Sequence, residues 1–326
     1  MSGVRWGVIG TGGIANAFAE ALSGLPGAET LAVGSRSQAS ADRFAEEHGF
    51  VRAYSGYEEL AADPDVEVVY VATPHPFHAA NVELCLRAGK AVLCEKPLTV
   101  NAAQARRLVG LARERGLFLM EGMWTRFFPI MGRLRALLSD GAIGEPRMLS
   151  VDFGFEAPFD PASRLFDPAL GGGAMLDVGV YCLSFAAMVL GAPLRSAGFS
   201  QLGETGVDEL FAAVLEHEGG GLAAISAGTR AATPQEATVL GTEGRVRIHS
   251  PWWMPRAMTV TNPDGEDRLV EEPVEGNGFG YEAAEVMRCL KAGETESPIM
   301  PLDETVSVLE SMDALRESWG LRYPGE

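Results

Sequence analysis

The sequence predicts an α/β fold in which an N-terminal, doubly wound parallel sheet precedes a C-terminal α+β domain with a large open, mostly antiparallel sheet. Two observations support this prediction. Over residues 1–122, short apolar runs alternate with helical segments, which is typical of parallel βαβ units. Over residues 123–326, strand-like runs follow one another with only short turn signals between them, as in antiparallel sheets. We therefore predict a domain boundary near residue 122.

Six apolar runs define the strands of the first domain, and five helical segments separate them. The predicted strands are residues 4–10, 29–35, 51–54, 66–73, 90–95 and 117–121, and the predicted helices are residues 14–25, 38–49, 56–63, 77–89 and 101–116. Most of these strands are apolar without alternation, which suits strands that are covered by helices on both faces.

The second domain begins with a predicted helix over 128–138 and a strand over 145–155. Three glycines at 171–173 then lead into a long apolar helix. The strand-like runs that follow are 209–217, 221–229, 236–242, 244–250 and 257–262, and helices at about 278–291 and 302–317 close the sequence. An open sheet with helices on one face leaves the other exposed, and an exposed apolar face usually pairs with a copy of itself. We therefore expect a homodimer, or a dimer of dimers, through the C-terminal sheet.

Charge and cysteine content narrow the class of protein. The net charge of −18 argues against a surface that binds nucleic acid or an anionic membrane, since both need basic patches. The four cysteines are scattered, without a CxxC pair, and indicate buried thiols in a reducing compartment. The first residues lack the order of a signal peptide, and we expect no apolar run of the roughly 20 residues that a membrane helix needs. These features predict a soluble, cytoplasmic protein.

The first strand is followed by GTGGIA, residues 10–15, which matches the pattern G-x-G-x-x-G/A. Gly10 allows a tight turn, Gly12 lets the backbone approach a pyrophosphate, and the small Ala15 lets helix and strand pack closely. The N–H groups at the start of the helix would then bind the phosphate. This turn predicts a dinucleotide-binding site that is formed by Gly10, Thr11, Gly12, Gly13 and Ile14.

The end of the second strand bears on the choice between NAD and NADP. A site that prefers NAD usually has a carboxylate there, which binds the ribose hydroxyls. Here the strand ends in Gly34, Ser35 and Arg36, and a guanidinium suits a 2′-phosphate. We therefore predict NADP, with NAD less favoured, and cofactor contacts from Ser35 and Arg36.

Three spaced motifs resemble those of a known family. GVIGTGGIA at 7–15, VATPHPFHAANVELCLRAGKAVLCEKPLTVN at 71–101 and GGGAMLDVGVYCLS at 171–184 are together similar to the Gfo/Idh/MocA family of nicotinamide-dependent oxidoreductases. The resemblance covers essentially the whole chain. Within the family, EGMWTRFFP and DVGVY look most like the dimeric dihydrodiol dehydrogenases and the NADP-dependent D-xylose dehydrogenases. The resemblance implies a Rossmann domain followed by a domain for substrate binding and oligomerisation.

The lysine of the family's E-K-P motif maps to Lys96. In the family this lysine lies at the carboxyl end of a sheet strand, beside the nicotinamide and the substrate. That position agrees with the general rule that ligands bind at the carboxyl ends of parallel strands. Pro97 would make the turn rigid and so fix the direction of Lys96. Glu95 is expected to be structural or to contact the nicotinamide-ribose side.

The stretch TPHPFH is similar to the family's T-P-N-x-x-H, with His75 in place of asparagine. The resemblance implies that Thr73 and Pro74 line the nicotinamide-ribose and phosphate side of the cofactor, with His75 and His78 beside them. We expect no metal on the two histidines, because no cysteine lies nearby in the sequence and the chemistry requires no metal.

Asp177 and Tyr181 are four residues apart, a spacing that puts both on one face of a helix. Much of the family has histidine at the position of Tyr181. The resemblance implies that Tyr181 transfers the proton and that Lys96, as an ammonium, favours its phenolate form and binds the substrate oxygen. Asp177 would bind a substrate hydroxyl or orient Lys96. The alternatives are a core aromatic for Tyr181 and a helix-entry acceptor for Asp177.

Aromatic side chains complete the predicted pocket. Trp124 and Arg126 follow the last strand of the first domain and are expected near the cofactor and the substrate cleft. Phe155, Trp252 and Phe279 are further candidates for substrate contact, because sugar rings and arene diols stack on aromatic faces. A core or dimer-interface role is an equal alternative for Trp252 and for the tryptophan after it.

The sequence therefore predicts an NADP-dependent oxidoreductase that transfers hydride between the nicotinamide and a secondary alcohol of a sugar, cyclic polyol or trans-dihydrodiol. A non-catalytic NADP-binding regulatory protein is a second hypothesis, which the presence of Lys96, Asp177 and Tyr181 disfavours. A redox-assisted glycosidase that uses NAD is a third, which Arg36 and the tyrosine in place of histidine disfavour. The expected partners are a small-molecule substrate and a second copy of the chain, without nucleic acid or membrane.

Overall fold

The computed structural model of the chain describes residues 3–326. These residues form two compact units, each built around one sheet. The first unit comprises residues 3–99, 103–124 and 275–302, and the second comprises residues 100–102, 125–274 and 303–326. The predicted fold class is confirmed, because one sheet is parallel and the other is large and mostly antiparallel.

With two exceptions in the second unit, the helices and strands follow one another in the predicted sequence of types. The strands are β1 (Val4–Ile9), β2 (Ala28–Gly34), β3 (Arg52–Tyr54), β4 (Val68–Val71), β5 (Ala91–Glu95), β6 (Leu119–Gly122), β7 (Pro146–Gly154), β8 (Pro193–Leu202), β9 (Asp208–His217), β10 (Leu222–Gly228), β11 (Ala237–Gly241), β12 (Arg245–Ile248), β13 (Ala257–Thr261) and β14 (Asp267–Glu271). The helices are α1 (Gly13–Ser23), α2 (Gln38–His48), α3 (Tyr57–Ala62), α4 (His78–Arg87), α5 (Ala102–Arg115), α6 (Pro129–Ser139), α7 (Val180–Leu190), α8 (Phe279–Ala292) and α9 (Leu302–Trp319).

The sheet of the first unit has the strand order β3-β2-β1-β4-β5-β6, and every neighbouring pair is parallel. All residues of β4 and β5 are buried, which explains why these strands are apolar without alternation. The strand order reverses between β1 and β4. Ligands of doubly wound sheets bind outside the carboxyl ends of the strands at such a reversal. The topology therefore predicts that a ligand binds at the loops after β1, β2, β4 and β5.

The predicted boundary near residue 122 lies two residues before the end of the segment 103–124 of the first unit, but the predicted second domain differs in one respect. The segment 275–302, with α8, belongs to the first unit. The side-chain amide of Asn277 donates to the carbonyl oxygen of Ala17 on α1 (2.7 Å), and the N–H of Leu119 donates to the carbonyl oxygen of Thr295 (3.1 Å). Such contacts join segments far apart in sequence, so periodicity along the chain does not reveal them.

The sheet of the second unit has eight strands in the order β14-β13-β12-β11-β7-β10-β9-β8. All neighbouring pairs are antiparallel except β7 with β10. Two of its strands, β8 and β14, were not among the predicted strands. Both are edge strands that are largely exposed to solvent, so neither carries a run of buried apolar residues.

The most apolar helical segment of the second unit packs on β7 and β10. It begins with a wide π-helical turn, Met175–Gly179, and continues as α7. The stretch Pro168–Leu190 is long and apolar enough to cross a membrane, and 83% of its most apolar window is buried inside the protein. The expectation that no apolar run reaches this length is therefore wrong. The burial shows that this apolar composition serves the core of the fold.

Candidate active site

The glycine-rich turn after β1 has the shape that a bound pyrophosphate requires. Gly10 adopts φ +103°, and a Cβ atom there would lie 2.9 Å from the carbonyl oxygen of Ala72. By contrast, Cβ atoms built at Gly12 and Gly13 would meet no atom within 4 Å. The side chain of Ala15 is fully buried, as the close packing of helix on strand demands. The open space at Gly12 and Gly13 leaves the backbone N–H groups at the start of α1 accessible to an anion.

The end of β2 lies next to this turn. The hydroxyl groups of Thr11 and Ser35 are 3.4 Å apart, and Ser35 is buried while Arg36 is exposed. Burial raises the pKa of Tyr57, and the nearby guanidinium of Arg36 acts in the opposite direction. Arg36 and Ser35 thus extend from the strand end as sequence analysis predicted, and they are available to a phosphate at this position.

His78 joins the loops that follow β4 and β5. Its Nδ1 atom lies 2.8 Å from the carbonyl oxygen of Pro97, and its Nε2 atom lies 2.6 Å from that of Thr73. Burial lowers the pKa of His78 to about 4, so at neutral pH the ring donates through only one of these nitrogens. Asn81 supports the same loop by donating to the hydroxyl oxygen of Thr73 (3.0 Å). His78 therefore links the backbone after β4, at Thr73, to the backbone just after Lys96, at Pro97.

The remaining residues of the TPHPFH stretch lie at the start of α4. Pro74 precedes a single 3₁₀ turn, His75–Phe77, in which both His75 and Phe77 are partly or largely exposed. The rings of His75 and His78 are 5.7 Å apart. Because both nitrogens of His78 already face carbonyl oxygens, its role is structural, whereas Pro74 and His75 remain candidates for cofactor contact.

Lys96 follows β5 directly and is half-buried, with a cis peptide bond to Pro97. Glu95, the last residue of β5, is buried and accepts a hydrogen bond from the hydroxyl group of Tyr70. Glu282 of α8 is fully buried beside these groups, and burial together with the charge of Glu95 raises its pKa well above the usual range. The structure thus assigns Glu95 to a buried acidic cluster with Tyr70 and Glu282, in line with the structural alternative.

Trp124 and Phe279 form a stacked aromatic pair in the first unit. Their ring centroids are 4.3 Å apart with nearly parallel planes, and both side chains are more than nine-tenths buried. This pairing was not predicted from the sequence, because the two residues are 155 positions apart along the chain. Phe279 is the first residue of α8, so the stack holds the start of that helix near the end of β6.

Arg126 is placed differently from the prediction. It is buried in the second unit, where its Nε atom donates to the hydroxyl oxygen of Ser184 (2.9 Å) and its guanidinium pairs with Glu304. Arg135 donates to the carbonyl oxygen of Arg126 (2.7 Å). A guanidinium held in this way stabilises the packing of α7 and α9, and its contact with the cofactor stays a prediction.

Asp177 lies in the π-helical turn before α7, not in the α-helix itself. Its carboxylate is buried and accepts a hydrogen bond from Arg164 (2.8 Å), a residue that the sequence analysis did not single out. The π turn alters the angle between positions four apart, so the assumption of an α-helical face for Asp177 and Tyr181 does not hold in detail. Single π turns inside helices occur frequently at functional sites.

Tyr181 packs against an aromatic surface in the second unit. Its ring meets Phe153 edge to face with centroids 5.4 Å apart, and Phe153 stacks in parallel on Trp253 at 5.1 Å. The indole N–H of Trp253 donates to the side-chain oxygen of Gln235 (3.0 Å), which fixes the plane of the ring. The predicted candidate Phe155 is half-buried just beyond β7, and Phe153 on β7 is the residue that contacts Tyr181.

Trp252 is fully buried, and the structure gives it a core role. Its indole N–H donates to the carbonyl oxygen of Asp152 (2.7 Å), and its ring packs on Phe185 of α7. No part of its side chain is exposed for a substrate, so of the two tryptophans only Trp253 belongs to the aromatic surface around Tyr181. The sequence does not show that Trp252 is buried while its neighbour Trp253 is half-exposed.

Two family models match the chain. Residues 4–123 match the oxidoreductase family with an NAD-binding Rossmann fold, and residues 131–247 match the Gfo/Idh/MocA C-terminal domain. Curated relatives include the trans-1,2-dihydrobenzene-1,2-diol dehydrogenases of Bos taurus (40% identical over 331 residues, 98% of each chain) and Xenopus laevis (41% over 331 residues, 98% of this chain and 99% of that protein).

Solved structures agree with this relationship. A 3-ketoreductase from Actinomadura kijaniata, in complex with NADP and TDP-benzene, is 29% identical with a TM-score of 0.85, covering 97% of this chain and 98% of that one. An aldose-aldose oxidoreductase from Caulobacter crescentus has the same fold, with a TM-score of 0.86 at 24% identity, over 97% of this chain and 98% of that one. The predicted enzyme class, with a nicotinamide dinucleotide as cofactor, is confirmed. The chain belongs to the Gfo/Idh/MocA family of oxidoreductases.

Proposed function

We propose that this protein is an NADP-dependent dehydrogenase of a cyclic secondary alcohol, with a trans-dihydrodiol of an arene as the first candidate and a pyranose sugar as the second. The observation that carries this proposal is the contact of Tyr181 with Phe153, which itself stacks on Trp253. A side chain whose hydroxyl group can exchange a proton thus packs edge to face against a pair of parallel aromatic rings. Such a surface suits the faces of arene diols and of sugar rings.

The residues of the first unit fit NADP. The backbone at Gly12 and Gly13 is open to a pyrophosphate, and the end of β2 presents Ser35 and the exposed Arg36 to a 2′-phosphate. When bound, the nicotinamide of NADP supplies the acceptor and donor of hydride. The protein supplies binding and orientation, because the glycine turn fixes the pyrophosphate at the strand reversal beside β4.

Tyr181 and Lys96 are proposed to handle the proton. During oxidation the substrate hydroxyl gives its proton to Tyr181 and its carbinol hydrogen leaves with an electron pair as hydride, so that a carbonyl group is formed. Lys96 would donate a hydrogen bond to the substrate oxygen and favour the phenolate form of Tyr181. Asp177, which pairs with Arg164 (2.8 Å), would accept a hydrogen bond from a second substrate hydroxyl. Reduction of the carbonyl uses the same groups in reverse.

The choice of a dihydrodiol before a sugar rests on the relatives. The proteins that are about 40% identical over nearly the whole chain are named trans-1,2-dihydrobenzene-1,2-diol dehydrogenases. The aromatic surface of Tyr181, Phe153 and Trp253 is compatible with that substrate, because an apolar six-membered ring can stack on it. Apolar stacking alone does not bind a fully hydroxylated sugar, whose hydroxyl groups would need further donors and acceptors.

The test is the absorbance of reduced nicotinamide with NADP and with NAD, against trans-dihydrodiols, aldoses and inositols. Tyr181→Phe removes the hydroxyl and keeps the ring contact with Phe153, and we expect kcat to fall by about 10²-fold or more with little change in NADP affinity. Tyr54→Phe is the control, because that hydroxyl only meets Asp63 (3.0 Å) near β3. Full activity in Tyr181→Phe would refute the proton-transfer role. Tight NADP binding without turnover on any substrate would favour a regulatory protein.

We also propose that the open face of the second sheet pairs with a second copy of the chain. Phe199 on β8 is 90% exposed, and Val214 on β9 and Leu222 on β10 are 49% and 44% exposed. A groove of about 590 Å³ runs over this face, lined mainly by small and apolar side chains. The alternating burial of β9 shows that its other face is the one that packs inward. A flat, self-complementary apolar face is suited to a two-fold symmetric pair.

Size-exclusion chromatography with light scattering tests this pairing. Phe199→Asp is expected to convert the dimer to a monomer, because it would place two charges in an apolar contact. Val51→Asp, just before β3 in the first unit, where the residue is 75% exposed, is the matched control and should leave the dimer intact. A wild-type protein that is monomeric at micromolar concentration would overturn the proposal.

A reducing compartment is proposed as the location of the protein. All four cysteines, Cys85, Cys94, Cys182 and Cys289, are buried free thiols. Burial raises the pKa of Cys85 and Cys289 to about 12, which keeps these thiols protonated and unreactive. Fluorescence microscopy of a tagged protein in its host tests the expected cytoplasmic location, and a signal confined to the periplasm or to a membrane would contradict it.

A further inference from the structure

Asp208, the first residue of β9, is a fully buried carboxyl group at the start of the helical segment that carries Asp177 and Tyr181. Its Oδ2 atom accepts a hydrogen bond from the backbone N–H of Met175 (2.6 Å). Met175 opens the π-helical turn that holds Asp177, and α7 with Tyr181 follows without interruption. The carboxyl group of Asp208 is therefore tied to the backbone six residues before the proposed proton-transfer group.

The glycine motif before this helix makes room for Asp208. Gly173 adopts φ +109°, a conformation that favours glycine, and a Cβ atom there would overlap the Oδ1 atom of Asp208. The hydroxyl group of Tyr323 donates to the carbonyl oxygen of Gly172 (2.7 Å), so the same loop is also held from the C-terminal segment. The third glycine of the motif, Gly173, is thus explained by packing against Asp208 and not only by a sharp helix entry.

The charges around Asp208 leave it without a direct ion pair among the residues that the structure describes. Its Oδ1 atom has no hydrogen-bond partner. Arg316 is the nearest cation, but its guanidinium is paired with Asp313 (2.6 Å) and Glu326 (3.0 Å). The other ionisable group that faces Asp208 is the phenol of Tyr323.

The neighbouring carboxylate on β9 is engaged elsewhere, since Glu209 pairs with Arg230 (3.6 Å). Burial raises the pKa of Asp208 to about 7, while the N–H of Met175 and the charge of Arg316 lower it in part. Both the protonated and the ionised form of Asp208 are therefore present near neutral pH.

We propose that Asp208 is a positioning residue for Tyr181, whose carboxyl group fixes the backbone at the start of the π-helical turn and thereby the orientation of α7. The proposal rests on the proposed function for the role of Tyr181, but its structural part does not. Because burial raises the pKa of Asp208, its ionised form is less favourable in the folded protein than in an opened, solvated segment. The helix start is therefore held less firmly above pH 7 than below it.

Hydrogen exchange of the segment 174–185 between pH 6 and pH 8, corrected for the intrinsic pH dependence of exchange, tests the structural part. In the wild type we expect protection to fall about threefold to tenfold over this range, because ionisation of the buried Asp208 makes opening of the segment easier. Asp208→Asn keeps an acceptor for Met175 but cannot ionise, so its protection should not change with pH. Asp264→Asn, in the exposed turn before β14, removes the same charge elsewhere and should behave as the wild type.

The pH profile of kcat tests the functional part. We expect kcat of the wild type to fall through pH 7 with an unchanged KM for NADP, and this step to be missing in Asp208→Asn but present in Asp264→Asn. A step that persists in Asp208→Asn would overturn the link to Tyr181, and pH-dependent protection that persists in that variant would overturn the whole proposal. If no substrate is turned over, the proposed function fails while the exchange experiment still decides the role of Asp208.

Asp208→Leu, which lacks the acceptor, should lose protection at every pH; if it does not fold, the asparagine variant suffices.

Discussion

Tyr70 donates its hydroxyl hydrogen to the carboxylate of Glu95 inside the core of the first unit, one residue before Lys96 in sequence. The ring of Tyr70 also stacks on Phe18 of α1, the helix that begins at the glycine turn. This contact connects the predicted phosphate turn to the end of β5. The rigidity of the strand end that presents Lys96 therefore depends on buried polar groups and not only on Pro97.

Tyr70→Phe is expected to destabilise the protein by about 1–3 kcal/mol, because it removes one hydrogen bond to the buried carboxylate of Glu95 while the stacking on Phe18 is preserved. Urea denaturation of both proteins measures the difference. Tyr54→Phe, which loses a hydroxyl group in a partly exposed ion-pair network, should cost less than about 1 kcal/mol. An equal loss of unfolding free energy in the two variants would show that the buried hydrogen bond to Glu95 contributes no more to stability than the partly exposed bond of Tyr54.

Glu282→Gln should flatten the dependence of stability on pH. Burial, reinforced by the carboxylate of Glu95, raises the pKa of Glu282 well above its usual 4.5, and neither of its side-chain oxygens has a hydrogen-bond partner among residues 3–326. The folded state thus retains a proton that the unfolded chain has already released, so stability falls as the pH rises from 4.5 towards the raised value. Glutamine has no proton to release.

Thermal unfolding at pH 5 and pH 8 measures this effect. The variant Glu282→Gln should be more stable than the wild type at pH 8, with a smaller difference at pH 5. Glu317→Gln, on the exposed face of α9, is the control and should follow the wild type at both pH values. A variant of Glu282 that is less stable than the wild type at pH 8 would contradict a protonated Glu282.

Alanine at Gly10 and alanine at Gly12 should have opposite consequences. Gly10→Ala introduces a side chain at φ +103° and 2.9 Å from the carbonyl oxygen of Ala72, so we expect a loss of stability of roughly 1–3 kcal/mol. Gly12 has φ −80° and open space, so Gly12→Ala should cost less than about 1 kcal/mol. Its methyl group would instead occupy the space of the pyrophosphate and weaken NADP binding. Denaturation and fluorescence titration with NADPH separate the two effects.

Arg36→Ala should weaken the binding of NADP by about tenfold to a hundredfold and leave that of NAD nearly unchanged, because only NADP carries the 2′-phosphate. Titration calorimetry with both cofactors gives the ratio. Arg43→Ala removes an exposed arginine from the neighbouring α2 and should change neither affinity beyond the weak effect of net charge. Parallel losses for NADP and NAD in Arg36→Ala would mean that the arginine does not recognise the phosphate.

Much of the fold was predictable because the first unit repeats one simple pattern. Its buried strands are apolar throughout, and the glycine turn stands where a doubly wound sheet needs it, so all six strands and their helices were predicted. In the second unit the prediction missed β8 and β14, whose side chains are largely exposed and so carry no apolar run. It also placed α8 in the wrong unit, because the contacts of α8 with α1 join residues more than 250 positions apart.

Residues of the candidate site were predictable where they lie in recognisable sequence motifs. Lys96, Asp177 and Tyr181 lie in motifs that the family resemblance identifies, whereas Phe153 and Arg164 lie in stretches without any such mark. The surroundings of Arg126 were not predictable for a related reason. Arginine beside a strand end has the right chemistry for a phosphate, and only the packing of α7 and α9 shows that Ser184 and Glu304 bind its guanidinium.

By itself, the sequence determined the dinucleotide turn, the parallel order of the first sheet, the preference for NADP and the family, because each depends on residues that are close together along the chain. The tertiary structure decided which aromatic rings surround Tyr181, why Gly173 must be glycine and which carboxyl groups are buried near the end of β5 and the start of the π-helical turn. Those features depend on packing between distant segments. Burial, which raises the pKa of Asp208 and Glu282, is a property of the folded chain alone.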